Sequence, residues 1–460
     1  MTIVASRALS GICRLGLPLA GLVLALWMAA PAPAVDLSNA IERALEKRGG
    51  PRPVDSPGRD EIARNWDAFL TAVIKRAGSD APPGVLRSEL LGVLIEERYQ
   101  LVALLTDLTL DGPELLDSVF ESSWEQLVPL LDRVADQLPP EAERRYRSFL
   151  EAGDLMRAAE RLGVAREIAS SPESLRRLAR ILLGDEASDP LRFDTAVDPE
   201  MRQIFGFGPP LAPPAPNPLV VPVEPEPGAG FGNPLLRLGA TLGAWLAPTA
   251  WAAELPSDRA VLVARLNTWI PGRKNELRQY VPLVHDLLRL TATDTEARCS
   301  EKLDSQTAEV FEHLVLATAW QESCWRQFVR RKGEVRPLLS PAGAIGLMQI
   351  NARVWRGIYE PEGLEADIGY NGRAGAEILS HYLRDHALRA GEQRNPGGAD
   401  NLARATYAAY NGGPSHLTRY RKKGTSPHLR SIDRDFWWRY QAVKRDDERE
   451  MLSCYPSTVH

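Results

Sequence analysis

Phe311, Val315, Ala319 and Glu322 fall three and four residues apart, so they share one face of a helix whose remaining residues are mostly small or apolar. A carboxylate that continues an apolar stripe loses water, and loss of water favours its neutral form. Glu322 also stands at the expected C-terminal end of that helix, where the macrodipole disfavours negative charge. Both effects raise the pKa toward the neutral range in which a general acid works. The competing reading, an exposed glutamate at a frayed helix end, would leave it an ordinary surface acid.

The next stretches supply groups that could hold a polar substrate beside that acid. Ser323 carries a hydroxyl able to orient the Glu322 carboxyl group, unless it is simply a polar helix end. Ser340-Pro341-Ala342-Gly343-Ala344-Ile345-Gly346-Leu347-Met348-Gln349-Ile350-Asn351 reads as a glycine-punctuated loop, in which Gly343 and Gly346 permit close approach of backbone to a ligand. Met348 is expected to pack beneath this loop. Gln349 can both donate to and accept from a sugar hydroxyl or acetamido group. Ala408-Ala409-Tyr410-Asn411-Gly412-Gly413-Pro414 closes a second short helix with a polar, glycine-rich stop.

Taken in order, Glu322-Ser323, Gly346-Leu347-Met348-Gln349 and Ala409-Tyr410-Asn411-Gly412-Gly413 resemble the motifs of the soluble lytic transglycosylases, over roughly residues 305–425. The resemblance implies a goose-type-lysozyme-like catalytic domain that cleaves the β-1,4 bond between MurNAc and GlcNAc in peptidoglycan. It further implies that Glu322 acts first as acid and then as base. The muramic N-acetyl group steadies the developing cation, and the sugar's own 6-hydroxyl attacks to leave a 1,6-anhydro end. By the same resemblance Tyr410 reaches toward the catalytic carboxylate, while Asn411, with Ser323, Gly346, Met348 and Gln349, belongs to the substrate site. Asn371, Gly375 and Leu379 match a further family pattern, but Ile378 stands where many relatives carry a tyrosine. The interval from Glu322 to Ser340 is longer and more basic than the family pattern suggests.

Most glycosidases use a second carboxylate as base or nucleophile. Glu334, Glu365 and Asp367 are available, but none stands in a recognisable motif. Two rivals therefore stay open: a hydrolytic muramidase with the same acid, and a non-catalytic wall-binding or secretion-assembly protein. His381 and His386 are five apart, which does not align two ligands on a helix face, so no metal or cofactor is expected. The net charge of −5 gives no footprint for nucleic acid. Arg419, Arg421, Lys422, Lys423, Arg430, Arg434 and Arg439 interleave with Tyr420, Trp437, Trp438 and Tyr440. That mixture reads either as a charged surface over core aromatics or as stacking and carboxylate-binding groups for glycan and stem peptide.

The elements that must position these residues are read as all-α, with at most a very small β element. Arg7 and Arg14, the apolar run Leu15 to Ala30 and the small residues Ala32-Pro33-Ala34 predict a signal peptide over 1–34, and hence export to the periplasm or cell envelope. A spacer over 35–58 leads into a helical domain at 59–204, in which Ile62, Trp66, Phe69 and Val73 repeat at helical spacing. Its charges read as solvated faces, or as a docking surface for an envelope or secretion-machinery protein. A Pro/Gly-rich linker follows at 205–234. The apolar segment 235–256 is expected to pack as a helix on the catalytic domain, with membrane contact by 235–253 left open. The lysozyme-like domain then occupies 257–460. After export three cysteines remain, Cys299, Cys324 and Cys454, enough for one disulfide. Cys299 with Cys454 is the favoured pair, with Cys324 an alternative partner.

Overall fold

The computed structural model describes residues 59–106, 112–161, 171–185, 188–214, 217, 219–220, 258–271 and 274–455. The expected signal peptide, the spacer, the apolar segment and the linker from 221 onward lie outside the described residues. The chain groups into two compact units. One holds the residues up to Leu94 with Asp107–Phe193, and the other holds Ile95–Thr106 with Asp194 onward.

The first unit is built from α1 (Arg59–Asp80), the N-terminal half of α2 (Val85–Thr106), α3 (Gly112–Ala135), α4 (Pro140–Arg161) and α5 (Pro172–Leu183). The periodic residues Trp66, Phe69 and Val73 are buried, and Trp124 and Phe149 complete the core they enter. Trp124 lies flat across Gly153, where a Cβ would fall 2.0 Å from the indole ring, and its Nε1 donates to Asp154 at 2.9 Å. Both ends of α5 are capped. Ser171 accepts from the Ser174 amide, Pro172 opens the helix, and Gly184 ends it in the left-handed conformation (φ 66°).

The second unit contains α6 (Pro199–Ile204), α7 (Asp258–Asn267), α8 (Lys274–Arg298) and α9 (Ser305–Ser323). Two short hairpins follow, β1 (Phe328–Arg331) with β2 (Glu334–Pro337) and β3 (Ala344–Ile345) with β4 (Ile350–Asn351). Then come α10 (Pro361–Ala366), α11 (Ile368–His381), α12 (Asp400–Gly412) and α13 (Pro427–Val443). Asp304 caps α9 by accepting from the Thr307 amide. From Leu314 to Trp320 every residue of α9 is buried, because α8, α11, α12 and α13 all pack around it. The long basic interval after Glu322 is largely the β1–β2 hairpin. It turns at Lys332-Gly333, both at positive φ, the twist that a two-residue hairpin loop favours.

Two features depart from the linear reading. Residues 95–106 were expected to belong with the helical domain, and 205–214 with a linker, yet both group with the second unit. Phe205 and Phe207 stack on each other and pack against Trp355 and His381. Arg202, fully buried, pairs with Glu377 and donates to the carbonyls of Phe207, Gly208 and Pro209. Two aromatic anchors and a guanidinium that satisfies three carbonyls order a stretch whose prolines alone suggest an open chain. The disulfide joins Cys324 to Cys454, not Cys299 to Cys454. Cys299 stands at the end of α8 with its thiol donating to Thr295.

Candidate active site

Glu322 is the penultimate residue of α9, and the helix ends because Cys324 adopts the left-handed conformation (φ 52°). Glu322 is half-buried. Its Oε1 accepts from the Tyr407 hydroxyl of α12 at 2.9 Å. Burial pushes its pKa up to about 7, while that hydrogen bond and the charges of Arg419 and Arg439 pull the other way. Tyr407 is itself fixed by stacking on Phe436 of α13, with the ring planes 4° apart and centroids 3.9 Å apart. Arg419 is held by a buried pair with Asp433 at 2.8 Å, and Arg439 donates to Gln321.

Beside the acid, the Gly346–Gln349 turn is tied down by side chains from separate parts of the chain. Gln327 accepts from the Leu347 amide and Asn371 from the Met348 amide, each at 2.8 Å. Ser323 donates to the Leu347 carbonyl and Tyr410 to the Met348 carbonyl, each at 2.6 Å. Gly346 has φ 71°, and a Cβ there would fall 2.4 Å from Gln327 Oε1, so the residue must be glycine on both counts. Met348 is fully buried beneath the turn, against Gly375 of α11. Gln349, also at positive φ, donates to the carbonyls of Gly346 and Leu338.

These contacts reassign several roles. Tyr407, not Tyr410, donates to the Glu322 carboxylate. The two are three residues apart on one face of α12, and Tyr410 falls over the turn instead. Ser323 links the helix end to the turn rather than orienting the carboxyl group. Asn411 accepts from Arg419 at 2.9 Å, so its carbonyl oxygen is engaged while its amide is directed by that pairing. Sequence reasoning passed over Tyr407 and Gln327. The Tyr-x-x-Tyr spacing of α12 marks Tyr407 only as sharing a face with Tyr410, and nothing in the sequence marks Gln327, which the fold buries completely.

Of the other carboxylates, Asp367 caps α11 and accepts from Asn267, and Glu334 pairs with Arg336 on the exposed hairpin. Among the basic residues, Arg421 pairs with Glu392, whereas Arg404 lies over the rings of Tyr420 and Trp437. Among the described residues no group of His, Cys, Asp and Glu is arranged to hold a metal ion, and no helix is long and apolar enough to cross a membrane.

Residues 301–430 match the family model of the transglycosylase SLT domain, so this part of the chain is similar to the soluble lytic transglycosylases. No curated protein and no solved structure matches the chain.

Proposed function

We propose, from the transglycosylase domain this chain carries, that it cleaves the MurNAc-GlcNAc β-1,4 bond of peptidoglycan with formation of a 1,6-anhydro end. The observation that carries this reading is the state of Glu322. A carboxyl group with a pKa near 7, half-buried and held by one neutral hydroxyl, is protonated often enough at neutral pH to serve as an acid. Glycosidic cleavage needs a proton delivered to the leaving oxygen while positive charge grows at the anomeric carbon. Glu322 gives that proton, so the GlcNAc hydroxyl leaves. The Glu322 carboxylate then takes the proton of the muramic 6-hydroxyl as its oxygen closes onto the anomeric carbon. One residue therefore serves both steps, and the acid is regenerated. Asp367 and Glu334, engaged in a helix cap and a surface pair, are poorly placed to activate water. The Gly346–Gln349 turn and Asn411 form the polar wall that meets the sugar.

The Cys324–Cys454 disulfide suits an oxidising compartment, and with the N-terminal signal pattern it supports a periplasmic or envelope location. The deciding experiment is mass spectrometry of fragments released from purified peptidoglycan by the mature chain and by Glu322→Gln. Anhydro-muropeptides from the wild type and none from the variant are expected. Reducing ends would make the enzyme a hydrolase. Binding without products would move it to the wall-binding class.

A further inference from the structure

Residues 95–106, two hundred residues upstream of the transglycosylase domain, group with the catalytic unit, and their side chains bond to the backbone around the candidate acid. Glu96 and Tyr99 lie three apart, on one face of α2. The Tyr99 hydroxyl donates to the Tyr410 carbonyl at 2.6 Å. That carbonyl is in the last turn of α12, and its ordinary partner four residues on is Pro414, which has no N–H. Glu96 accepts from the Ser415 amide at 2.9 Å and from the Ser415 hydroxyl at 2.7 Å. Its carboxylate lies so close to Gly413 (φ 97°) that a Cβ there would fall 2.8 Å from Glu96 Oε2. On the same helix, Arg98, 2 % exposed, donates to the carbonyls of Val354 and Arg356 in the turns after β4.

We infer that Glu96 and Tyr99 are positioning residues of the catalytic unit, holding the Asn411–Pro414 turn and, through Tyr410, the Gly346–Gln349 loop against Glu322. The chain of contacts is short. Tyr99 fixes the Tyr410 main chain, the Tyr410 hydroxyl fixes the Met348 carbonyl, and Met348 carries the turn beside the acid. Tyr99 is also near enough to Glu322 that, after burial, the carboxylate charge helps raise its phenol pKa. The functional unit thus extends beyond residues 301–430 to a helix that the domain match does not cover. The effect on turnover rests on the transglycosylase reading above; the tie to the turn does not.

The test compares Tyr99→Phe and Glu96→Ala with wild type in the full mature chain. It reads both muropeptide release and amide hydrogen exchange at Asn411–Leu417. Misplacing the wall that orients the sugar against Glu322 slows the step it orients, so kcat should fall about tenfold, with or without a rise in KM. Exchange at Gly413 and Ser415 should quicken in both variants while the melting temperature stays within a few degrees. Unchanged exchange overturns the inference. Quicker exchange with undiminished kcat also overturns it, leaving only a structural tie, as does a raised KM with kcat intact. Should wild type release no products, the functional reading fails on its own. The exchange data then decide whether these side chains hold the turn.

Discussion

Glu322 draws its high proton affinity from lost water more than from any neighbouring charge, and this fixes the sign of its pH behaviour. The folded pKa of about 7 lies above the ordinary glutamate value, so between the two the folded state binds more protons than the unfolded state. Stability therefore falls as pH rises through that window, and the cost is fully present above pH 7. Glu322→Gln should melt higher than wild type at pH 8 and level with it near pH 4, as thermal unfolding at both values would read. An equal difference at both would mean the carboxyl is not desolvated. In activity, the alkaline limb of the rate profile should lie near pH 7. The Tyr407 hydrogen bond lowers the Glu322 pKa, so Tyr407→Phe should move that limb to higher pH while keeping the stack on Phe436. A limb that stays put or moves down would sink that assignment. At this scale the desolvation of Glu322 was legible in the sequence, because an apolar stripe reports burial directly. Tyr407 was not, because helical spacing gives the face a residue shares but not which of two tyrosines on it reaches the carboxylate. Ser323 misled for a related reason: a hydroxyl next to an acid in sequence points a hundred degrees away from it on a helix.

Among the elements, α11 matters for what it presents to the Gly346–Gln349 turn. Asn371 is fully buried and uses three bonds there. It accepts from Met348 and donates to the carbonyls of Ile345 and Leu364. Asn371→Ala leaves the Met348 amide without its acceptor, a loss of about 1–3 kcal/mol by the usual cost of an unsatisfied buried group. One turn later, Gly375 allows Met348 to sit against the helix, and a Cβ would fall 2.6 Å from Met348 Cβ and 2.5 Å from Cγ. Alanine is the better helix former by about 1 kcal/mol. The clash is with atoms near the Met348 backbone, so overpacking of about 1–3 kcal/mol should win. Gly375→Ala is expected to lower both the melting temperature and kcat; a stabilised, fully active variant would show that the turn yields freely. The helices themselves were readable from periodicity, as at Trp66, Phe69 and Val73. The role of the Asn371-x-x-x-Gly375 spacing was visible only as a pattern, since the loop it serves is more than twenty residues away.

At the scale of the whole chain, the second unit is assembled from distant stretches, and linear boundaries therefore misplace its edges. Residues 95–106 and 205–214 read as helical domain and linker because their partners, Tyr410, Ser415, Trp355 and His381, stand far along the sequence. The disulfide belongs to the same class of contact, closing a separation of 130 residues. Cys454 brings the C-terminal tail onto the end of α9, where Trp320 Nε1 donates to its sulfur and the Tyr455 hydroxyl donates to the Cys324 carbonyl at 2.8 Å. Cys324 stands in the left-handed conformation, which costs a side-chain-bearing residue about 1–2 kcal/mol, two residues from the acid. Removing the cross-link frees both the tail and that helix stop. Cys454→Ser should lower stability by about 2–4 kcal/mol. Activity should fall with it, because the end of α9 carries Glu322. Wild type under reductant should melt like Cys454→Ser without it, and Cys299→Ser should leave the oxidised melting temperature nearly unchanged. If instead reductant had no effect and Cys299→Ser did, the tail would be tied to α8, and the end of α9 would owe its geometry to packing alone.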